Sequence, residues 1–139
     1  MATYLETALE ELKALVENLA ALVEENVRLA TDAVINNNPL LIDTVKDNDK
    51  EIDKKEIHIE EACTQLLAMH YPKAKNLRFV VAVLKANNDL ERISDLAVNM
   101  VKSVKVLAKS KETQTFQLPD MVEKVLIMLN KSIKALLDL

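Results

Sequence analysis

Residues 66–77, LLAMHYPKAKNL, contain the helix break that decides the fold of this chain. On both sides of the break, apolar residues recur every three or four positions, which is the spacing of an amphipathic helix. Pro72 cannot continue the helix that precedes it, but it suits the first turn of a new helix. A connection this short holds consecutive helices side by side, so the sequence predicts an antiparallel helical hairpin centred on Pro72.

The two helices of this hairpin are predicted at residues 39–69 and 72–109. Each carries an apolar row with helical spacing, and the two rows would face a common core. We expect Leu90 in the second row to be buried, together with the neighbouring Leu84. The rows consist of Leu41, Val45, Ile52, Ile59 and Leu66 on the first helix and of Val80, Val83, Asn87, Leu90, Ser94, Ala97, Val101, Val104 and Ala108 on the second.

A further long helix is predicted before the hairpin and a shorter one after it. The first covers residues 3–35, carries a wide apolar stripe that would pack against two helices, and ends at residues 36–39, NNNP. Residues 110–118 are polar and predict a linker, and the last helix covers residues 119–139. The predicted fold is therefore all-α, with an antiparallel three-helix bundle over residues 1–109 and a fourth helix after the linker.

The composition of the chain excludes several classes of function. Its 139 residues include no Gly, no Trp, two Tyr and two Phe. Phosphate-binding loops and dinucleotide fingerprints require Gly where the backbone approaches a phosphate, so neither is expected. The net charge of −4 and the pI of about 5.3 argue against a DNA-binding surface, which needs a basic face. The scarcity of aromatic residues argues against single-stranded nucleic-acid binding.

The sequence also predicts a cytoplasmic protein. Its longest apolar run, Phe79–Leu84, is far too short to span a bilayer. No secretory signal is expected at the N-terminus, because the first apolar residues alternate with glutamates. Cys63 is the single cysteine and has no partner within the chain, which fits a reducing compartment and a small residue in the core.

Both helices of the hairpin carry acidic residues at helical spacing. On the first helix, four carboxylates follow one another at intervals of four, three and four residues, so they share one face. On the second helix, two carboxylates are four residues apart. These residues are Asp49, Asp53, Glu56 and Glu60 on the first helix and Glu91 and Asp95 on the second.

The hairpin places the pairs Asp49–Asp53 and Glu91–Asp95 at the same height. In an antiparallel hairpin centred on Pro72, facing residues have numbers that add to about 144, and the centres of the two pairs fulfil this condition. Carboxylates gathered at one level repel one another and need cations. All-oxygen ligands suit hard divalent or trivalent metals, so we predict a site for magnesium, calcium, iron or zinc. Its ligands would be Asp49, Asp53, Glu91 and Asp95.

A solvated charged face is the alternative interpretation of the same residues. Acidic residues four positions apart are common on exposed helices, where they form ordinary ion pairs. Glu56 and Glu60 lie level with Lys85 on the facing helix, so a salt bridge would account for them. The lysines that interleave with the acids of the first hairpin helix are Lys46, Lys50, Lys54 and Lys55.

No catalytic arrangement is predicted, and we expect the protein not to be an enzyme. A ferritin-like di-iron site needs a Glu three residues before each His. Lys55 and Leu67 stand at these positions before His58 and His70. The spacing also indicates no Ser-His-Asp or Cys-His constellation, nor a nucleophile beside a general base.

Residues 49–63 (DKEIDKKEIHIEEAC), 72–78 (PKAKNLR) and 84–99 (LKANNDLERISDLAVN) occur in an order and spacing that resemble the PhoU family, the regulators of bacterial phosphate uptake. The resemblance implies a fold of two repeated three-helix bundles. It also implies an E/D-x-x-x-D signature on the second and third helices of each bundle, where some members bind metal clusters. Asp49–Asp53 and Glu91–Asp95 match this signature.

The resemblance further implies a function and partners. Members of the family damp phosphate import and phosphate-starvation signalling. The partners would be the phosphate-specific ABC transporter and its sensor histidine kinase, at the inner membrane. Two other functions stay open: a structural or designed helical bundle without a ligand, and a metal-dependent protein that uses the carboxylate site.

The chain departs from the family pattern in two residues and in length. Ser94 stands where the family usually has Gly, and Asn76 stands where Asp is usual. Members carry two bundles, whereas this chain has one bundle and a last helix that resembles the opening of a second repeat, with 128–139 aligned to 22–33. Because the hairpin helices would already fill the stripe of the first helix, apolar surface on the last helix would be exposed. The last helix can fold back to make a four-helix bundle or pack against a second copy of the chain. We favour the second outcome and predict a homodimer joined through the last helix, with or without exchange of that helix.

Overall fold

The computed structural model describes residues 3–109 and 118–139, and these residues form four α-helices and no strand. The predicted all-α class is confirmed, with three helices in a bundle and a fourth helix after them. None of the described helices combines the length and the apolarity needed to cross a membrane. The helices are α1 (Tyr4–Ile35), α2 (Leu40–His70), α3 (Ala74–Lys109) and α4 (Leu118–Leu137).

Helix α1 begins with a capping box and ends at the predicted asparagine run. The Thr3 hydroxyl accepts a hydrogen bond from Glu6 N, and the Glu6 carboxylate accepts one from Thr3 N, both at 3.1 Å. These bonds satisfy backbone donors that the first turn of a helix leaves free. After the last turn, Asn37 has a φ of 49°, a left-handed conformation that Asn adopts more readily than most residues.

The connection between α2 and α3 is as short as the Pro72 break predicts. Tyr71 ends α2 in the left-handed conformation, with φ 45° and ψ 55°, and α3 begins three residues later at Ala74. Gly commonly takes such a position, but the chain contains none, so Tyr71 adopts it at a steric cost. The turn sets the two helices antiparallel and determines which of their residues face each other.

The three long helices bury a shared apolar core, because each packs against the other two. Among the described side chains of α2 and α3, the observed burial differs from the predicted burial at two positions. Ile42 is buried where Leu41 was expected, and Leu84 is only partly buried. Val83 already faces the core, and the next residue of a helix points about 100° away from it. Fully buried apolar residues include Leu12, Leu19, Val23, Ile52, Ile59, Val80, Val101 and Val104.

One polar contact crosses the core between α1 and α2. Asn26 is fully buried; its Nδ2 donates to Val45 O at 3.1 Å, and its Oδ1 accepts from Asn48 Nδ2 at 3.2 Å. A buried amide that lost these partners would destabilise the fold, so the contact fixes how α1 sits along α2. Asn48 precedes Asp49, so the contact also holds the start of the predicted metal site against the bundle.

Helix α4 packs on the outside of the bundle against α1 and, along one edge, against α3. Leu126 is buried, and Arg28 on α1 forms ion pairs with Glu24 on its own helix and with Glu123 on α4. The stripe of α1 therefore accommodates three neighbours, and the expectation that α2 and α3 fill it is wrong. Several apolar side chains of α4 stay exposed, namely Met121, Val125, Ile127 and Met128.

The helix bounds agree with the predicted ones to within two residues. Helix α4 begins at Leu118, which the sequence analysis placed at the end of the linker. The remaining linker residues, 110–117, and the side chain of Ala108 lie outside the described residues. The assignment of α4 as the opening helix of a second repeat stays a prediction.

Replacing Leu90 with Ala should lower the free energy of unfolding by about 2–5 kcal/mol, because Leu90 is 2% exposed and its truncation leaves a cavity. Leu96 on the same helix is 57% exposed and provides the matched control. Leu96→Ala should change stability by less than about 0.5 kcal/mol. Urea unfolding followed by circular dichroism measures both values, and equal effects would contradict the assigned core.

Candidate functional site

Five carboxylates converge where α2 and α3 face each other, and we call Asp49, Asp53, Glu56, Glu91 and Asp95 the acidic cluster. One carboxylate oxygen from each of Asp49, Asp53 and Asp95 forms a group in which all three oxygens lie within 4.8 Å of one another. Asp53, Glu56 and Glu91 form a second group of the same dimensions. Asp53 belongs to both groups and therefore lies at the centre of the cluster. Asp95 is exposed, and the other four residues are partly buried.

Two buried polar side chains of α3 align the helices that carry the acidic cluster. Asn87 Nδ2 donates to the backbone oxygen of Glu56 at 2.9 Å, and Ser94 Oγ donates to Asp49 Oδ1 at 2.7 Å. The two donors are seven residues apart, and so are the two acceptors. Both bonds therefore form in the same alignment of α2 with α3. The facing residue numbers add to 143, which agrees with the predicted value of about 144.

The structure brings all four predicted metal ligands into the acidic cluster. Asp49, Asp53 and Asp95 share the first group, whereas Glu91 belongs to the second. The prediction of a common height followed from the turn, and the convergence shows that both pairs also lie on the same side of the hairpin. Metal binding at the acidic cluster stays a prediction.

Glu56 is the residue of the acidic cluster that was not among the predicted ligands. Its position level with Lys85 suggested a salt bridge, but its carboxylate approaches Asp53 and Glu91. The signal that identifies it is the three-residue step from Asp53 along one helix face, which continues the acidic row.

The ion pairs of the described residues do not include the acidic cluster. They join Lys13 to Glu10, Arg28 to Glu24 and Glu123, and Lys54 to Glu51. Lys54 follows Asp53 directly in the sequence, yet its ammonium group contacts another residue. The cluster is therefore not a surface of paired acidic and basic side chains. A solvent-exposed acidic surface without ion pairs stays the alternative interpretation.

Burial and, after it, the crowding of like charges raise the pKa values of three members of the acidic cluster. Burial, a hydrogen bond with Asp95 and repulsion by the surrounding carboxylates raise the pKa of Glu91 from its ordinary 4.5 to about 7. Burial and neighbouring carboxylates also raise the pKa values of Asp53 and Glu56. Each direction is the one expected when an ionised carboxylate gains like-charged neighbours and loses water.

The donor set of the acidic cluster consists entirely of carboxylate oxygens. Hard cations such as Mg²⁺, Ca²⁺ and ferric iron prefer such ligands, whereas Zn²⁺ sites commonly include His or Cys. Cys63 lies in the core, where burial raises the pKa of its thiol to about 11 and keeps it protonated. His58 and His70 line a groove between α1 and α2, outside the cluster.

Comparison with known proteins identifies the family. The PhoU domain matches residues 16–104, which is more than half of the chain. This chain belongs to the PhoU family. The matched residues include the whole acidic cluster together with Asn87 and Ser94. The two hydrogen bonds that hold α2 against α3 therefore lie within the PhoU domain of this chain.

The curated relatives that the chain matches are PhoU proteins of greater length. It is 34% identical over 126 residues to the phosphate-specific transport system accessory protein PhoU homolog of Aquifex aeolicus, covering 90% of this chain and 57% of that protein. It is 32% identical over 137 residues to PhoU homolog 1 of Thermotoga maritima, covering 97% and 59%. The chain therefore spans less than three-fifths of the length of these two relatives.

The protonation of Glu91 should make the metal-free fold more stable at mildly acidic pH. The pKa of Glu91 is about 7 in the folded protein against an ordinary 4.5. The stability that the raised pKa of Glu91 provides is therefore complete below the ordinary pKa of 4.5 and is lost as the pH rises through the folded-state pKa of about 7. In protein freed of metal by a chelator, the urea midpoint should be higher at about pH 5.5 than at about pH 8.

Glu91→Gln should reduce this difference between the two urea midpoints, because the side chain then no longer titrates. Asp89 is exposed on the same helix and lies outside the acidic cluster, so Asp89→Asn should keep the wild-type difference. A difference that persists in full in Glu91→Gln would mean that another group causes it.

Proposed function

We propose that this PhoU-family chain regulates phosphate uptake and phosphate-starvation signalling. The observation that carries the proposal is the family match over residues 16–104. The names of the relatives, accessory proteins of a phosphate-specific transport system, support it. In this proposal the chain acts through protein–protein contacts and not as an enzyme.

The proposed partners are the phosphate-specific ABC transporter and its sensor histidine kinase, which the chain would meet in the cytoplasm at the inner membrane. The relatives are longer, so the proposal assigns these contacts to the three-helix bundle and α4. The competing function is a structural helical bundle without a ligand, which would bind neither partner.

Co-purification from bacterial membranes tests this function. The tagged chain, produced in a strain that lacks its own PhoU-type protein, should retain the transporter and the kinase. It should also lower the activity of a phosphate-starvation reporter when phosphate is abundant. An unrelated three-helix bundle of similar size and charge is the matched control and should do neither. A folded chain that behaves like this control would support the structural alternative.

We also propose that the acidic cluster binds hard cations. The support is geometric and electrostatic: the carboxylates converge, their donor atoms are all oxygens, and no described Lys or Arg forms an ion pair with them. Asp49, Asp53 and Asp95 would hold one ion, and Asp53, Glu56 and Glu91 would hold another. A bound cation would offset the mutual repulsion of the carboxylates. Magnesium, calcium and iron suit this donor set better than zinc.

Asp53→Asn should remove most of the cation binding, because Asp53 contributes to both groups of the acidic cluster. At about 100 times its dissociation constant, Mg²⁺ or Ca²⁺ should stabilise the chelator-treated wild-type chain by about 2.7 kcal/mol and raise its melting temperature. Titration calorimetry and thermal unfolding measure both effects. Asp89→Asn, outside the cluster, should behave like the wild type. Equal stabilisation of both variants would place the cations elsewhere on the chain.

We propose further that two copies of the chain associate through the exposed apolar side chains of α4. Exposed apolar surface commonly marks an interaction site, and twofold symmetry is the commonest arrangement of identical chains. Because α4 contacts α1 of its own chain, the association needs no exchange of helices. The exposed side chains are those of Met121, Val125, Ile127 and Met128, which are between 45% and 65% exposed, and Val125 and Met128 border a groove with α3.

Light scattering at tens of micromolar should give the mass of a dimer. Met128→Lys should shift the chain toward the monomer, because the dimer would bury an unpaired charge. Ile57 is 56% exposed on α2, which makes no contact with α4 among the described residues, so Ile57→Lys should leave the mass unchanged. A monomer mass for the wild-type chain would overturn the dimer.

A further inference from the structure

The Ser94 hydroxyl bonds in an unusual direction for a serine within a helix. Hydroxyls inside helices commonly donate to the backbone oxygen four residues earlier, as those of Thr31, Thr64 and Ser132 do here. Ser94 is fully buried in the apolar row of α3, yet its hydroxyl donates across the interface to Asp49 Oδ1 at 2.7 Å. This length is that of a well-formed O–H···O hydrogen bond.

The bond determines how the Asp49 carboxylate takes part in the acidic cluster. The nearby side chains of Asp53 and Asp95 carry the same charge, so repulsion favours a carboxylate that turns away from them. The Ser94 hydroxyl opposes this by holding Oδ1 at the interface between α2 and α3. It also occupies one lone pair of Oδ1 and draws charge from that oxygen, so Oδ2 is the better ligand and symmetric binding through both oxygens is disfavoured.

We propose that Ser94 is a positioning residue that presents Asp49 to a bound cation through one oxygen and thereby sets which cation the group prefers. The inference rests on the cation binding proposed above. Ca²⁺ takes about six to eight oxygens and readily uses both oxygens of one carboxylate. Mg²⁺ requires near-octahedral geometry and keeps several waters, so single oxygens suit it. The Ser94 hydrogen bond therefore favours the smaller ion at Asp49, Asp53 and Asp95.

Calorimetric titration of the full chain with Mg²⁺ and with Ca²⁺ tests the role of Ser94. In Ser94→Ala, the affinity for Mg²⁺ should fall by about tenfold, as when a ligand loses its hydrogen-bond partner. The affinity for Ca²⁺ should fall less, because the released Asp49 offers both oxygens. The ratio of the Mg²⁺ affinity to the Ca²⁺ affinity therefore decreases.

Two further variants separate positioning from stability. Ser94→Thr keeps the hydroxyl and should keep the wild-type affinity ratio, even where its extra methyl group lowers the melting temperature. Thr31→Val removes a buried hydroxyl that bonds within α1, outside the acidic cluster, and should leave both affinities unchanged. A shift of the ratio in Thr31→Val equal to that in Ser94→Ala would overturn the positioning role.

The outcomes distinguish this inference from the cation site on which it rests. A wild-type chain that binds both cations, with an unchanged affinity ratio in Ser94→Ala, overturns the role of Ser94 and leaves the site intact. A wild-type chain that binds neither cation overturns the site and this inference together.

Discussion

The register between α2 and α3 is the constraint on which the rest of the structure depends. Apolar rows repeat along both helices, so sliding one helix by a turn would still pair aliphatic side chains. The bonds from Asn87 to the Glu56 backbone and from Ser94 to Asp49 do not survive such a shift. Each lost bond would leave a buried polar group unpaired, at about 1–3 kcal/mol. Two polar residues within an apolar row therefore select one alignment among several that hydrophobic packing allows.

The same register concentrates negative charge. With α2 and α3 held in this alignment, the carboxylates of the acidic cluster cannot separate by helix sliding, and within the described residues no lysine or arginine pairs with them. Burial, with a hydrogen bond to Asp95 and repulsion by the neighbouring carboxylates, raises the pKa of Glu91 and favours its protonated form. Such an arrangement lowers stability at neutral pH, and local conflict of this kind is typical of functional sites, where binding compensates it.

Periodicity and turn length were sufficient to predict the helices, the core rows and the height at which the acidic pairs meet. They were insufficient wherever the outcome depends on the rotation of a helix about its own axis. Neighbouring helix positions point about 100° apart, so a small rotation exchanges Leu41 for Ile42 in the core and leaves Leu84 at its edge. Glu56 continues the acidic row of α2, so its place in the cluster depended only on the side of the hairpin that this row faces. The docking of α4 on α1 could not be predicted, because a wide apolar stripe does not specify how many helices cover it.

Helix α3 connects the two surfaces for which functions are proposed. Its segment 89–95 presents Leu90 and Ile93 to a groove that α4 borders, and it presents Glu91 and Asp95 to the acidic cluster. Among the described residues, α4 contacts α1 and α3 but not α2, so a copy bound to the exposed side chains of α4 would leave the cluster accessible. The proposed self-association would thus involve α4, and the proposed cation binding would involve the side of α3 that faces α2. A charge placed at Met128 and a charge removed at Asp53 would each act on one of these proposed processes, so their roles in the proposed phosphate regulation can be tested separately in the same chain.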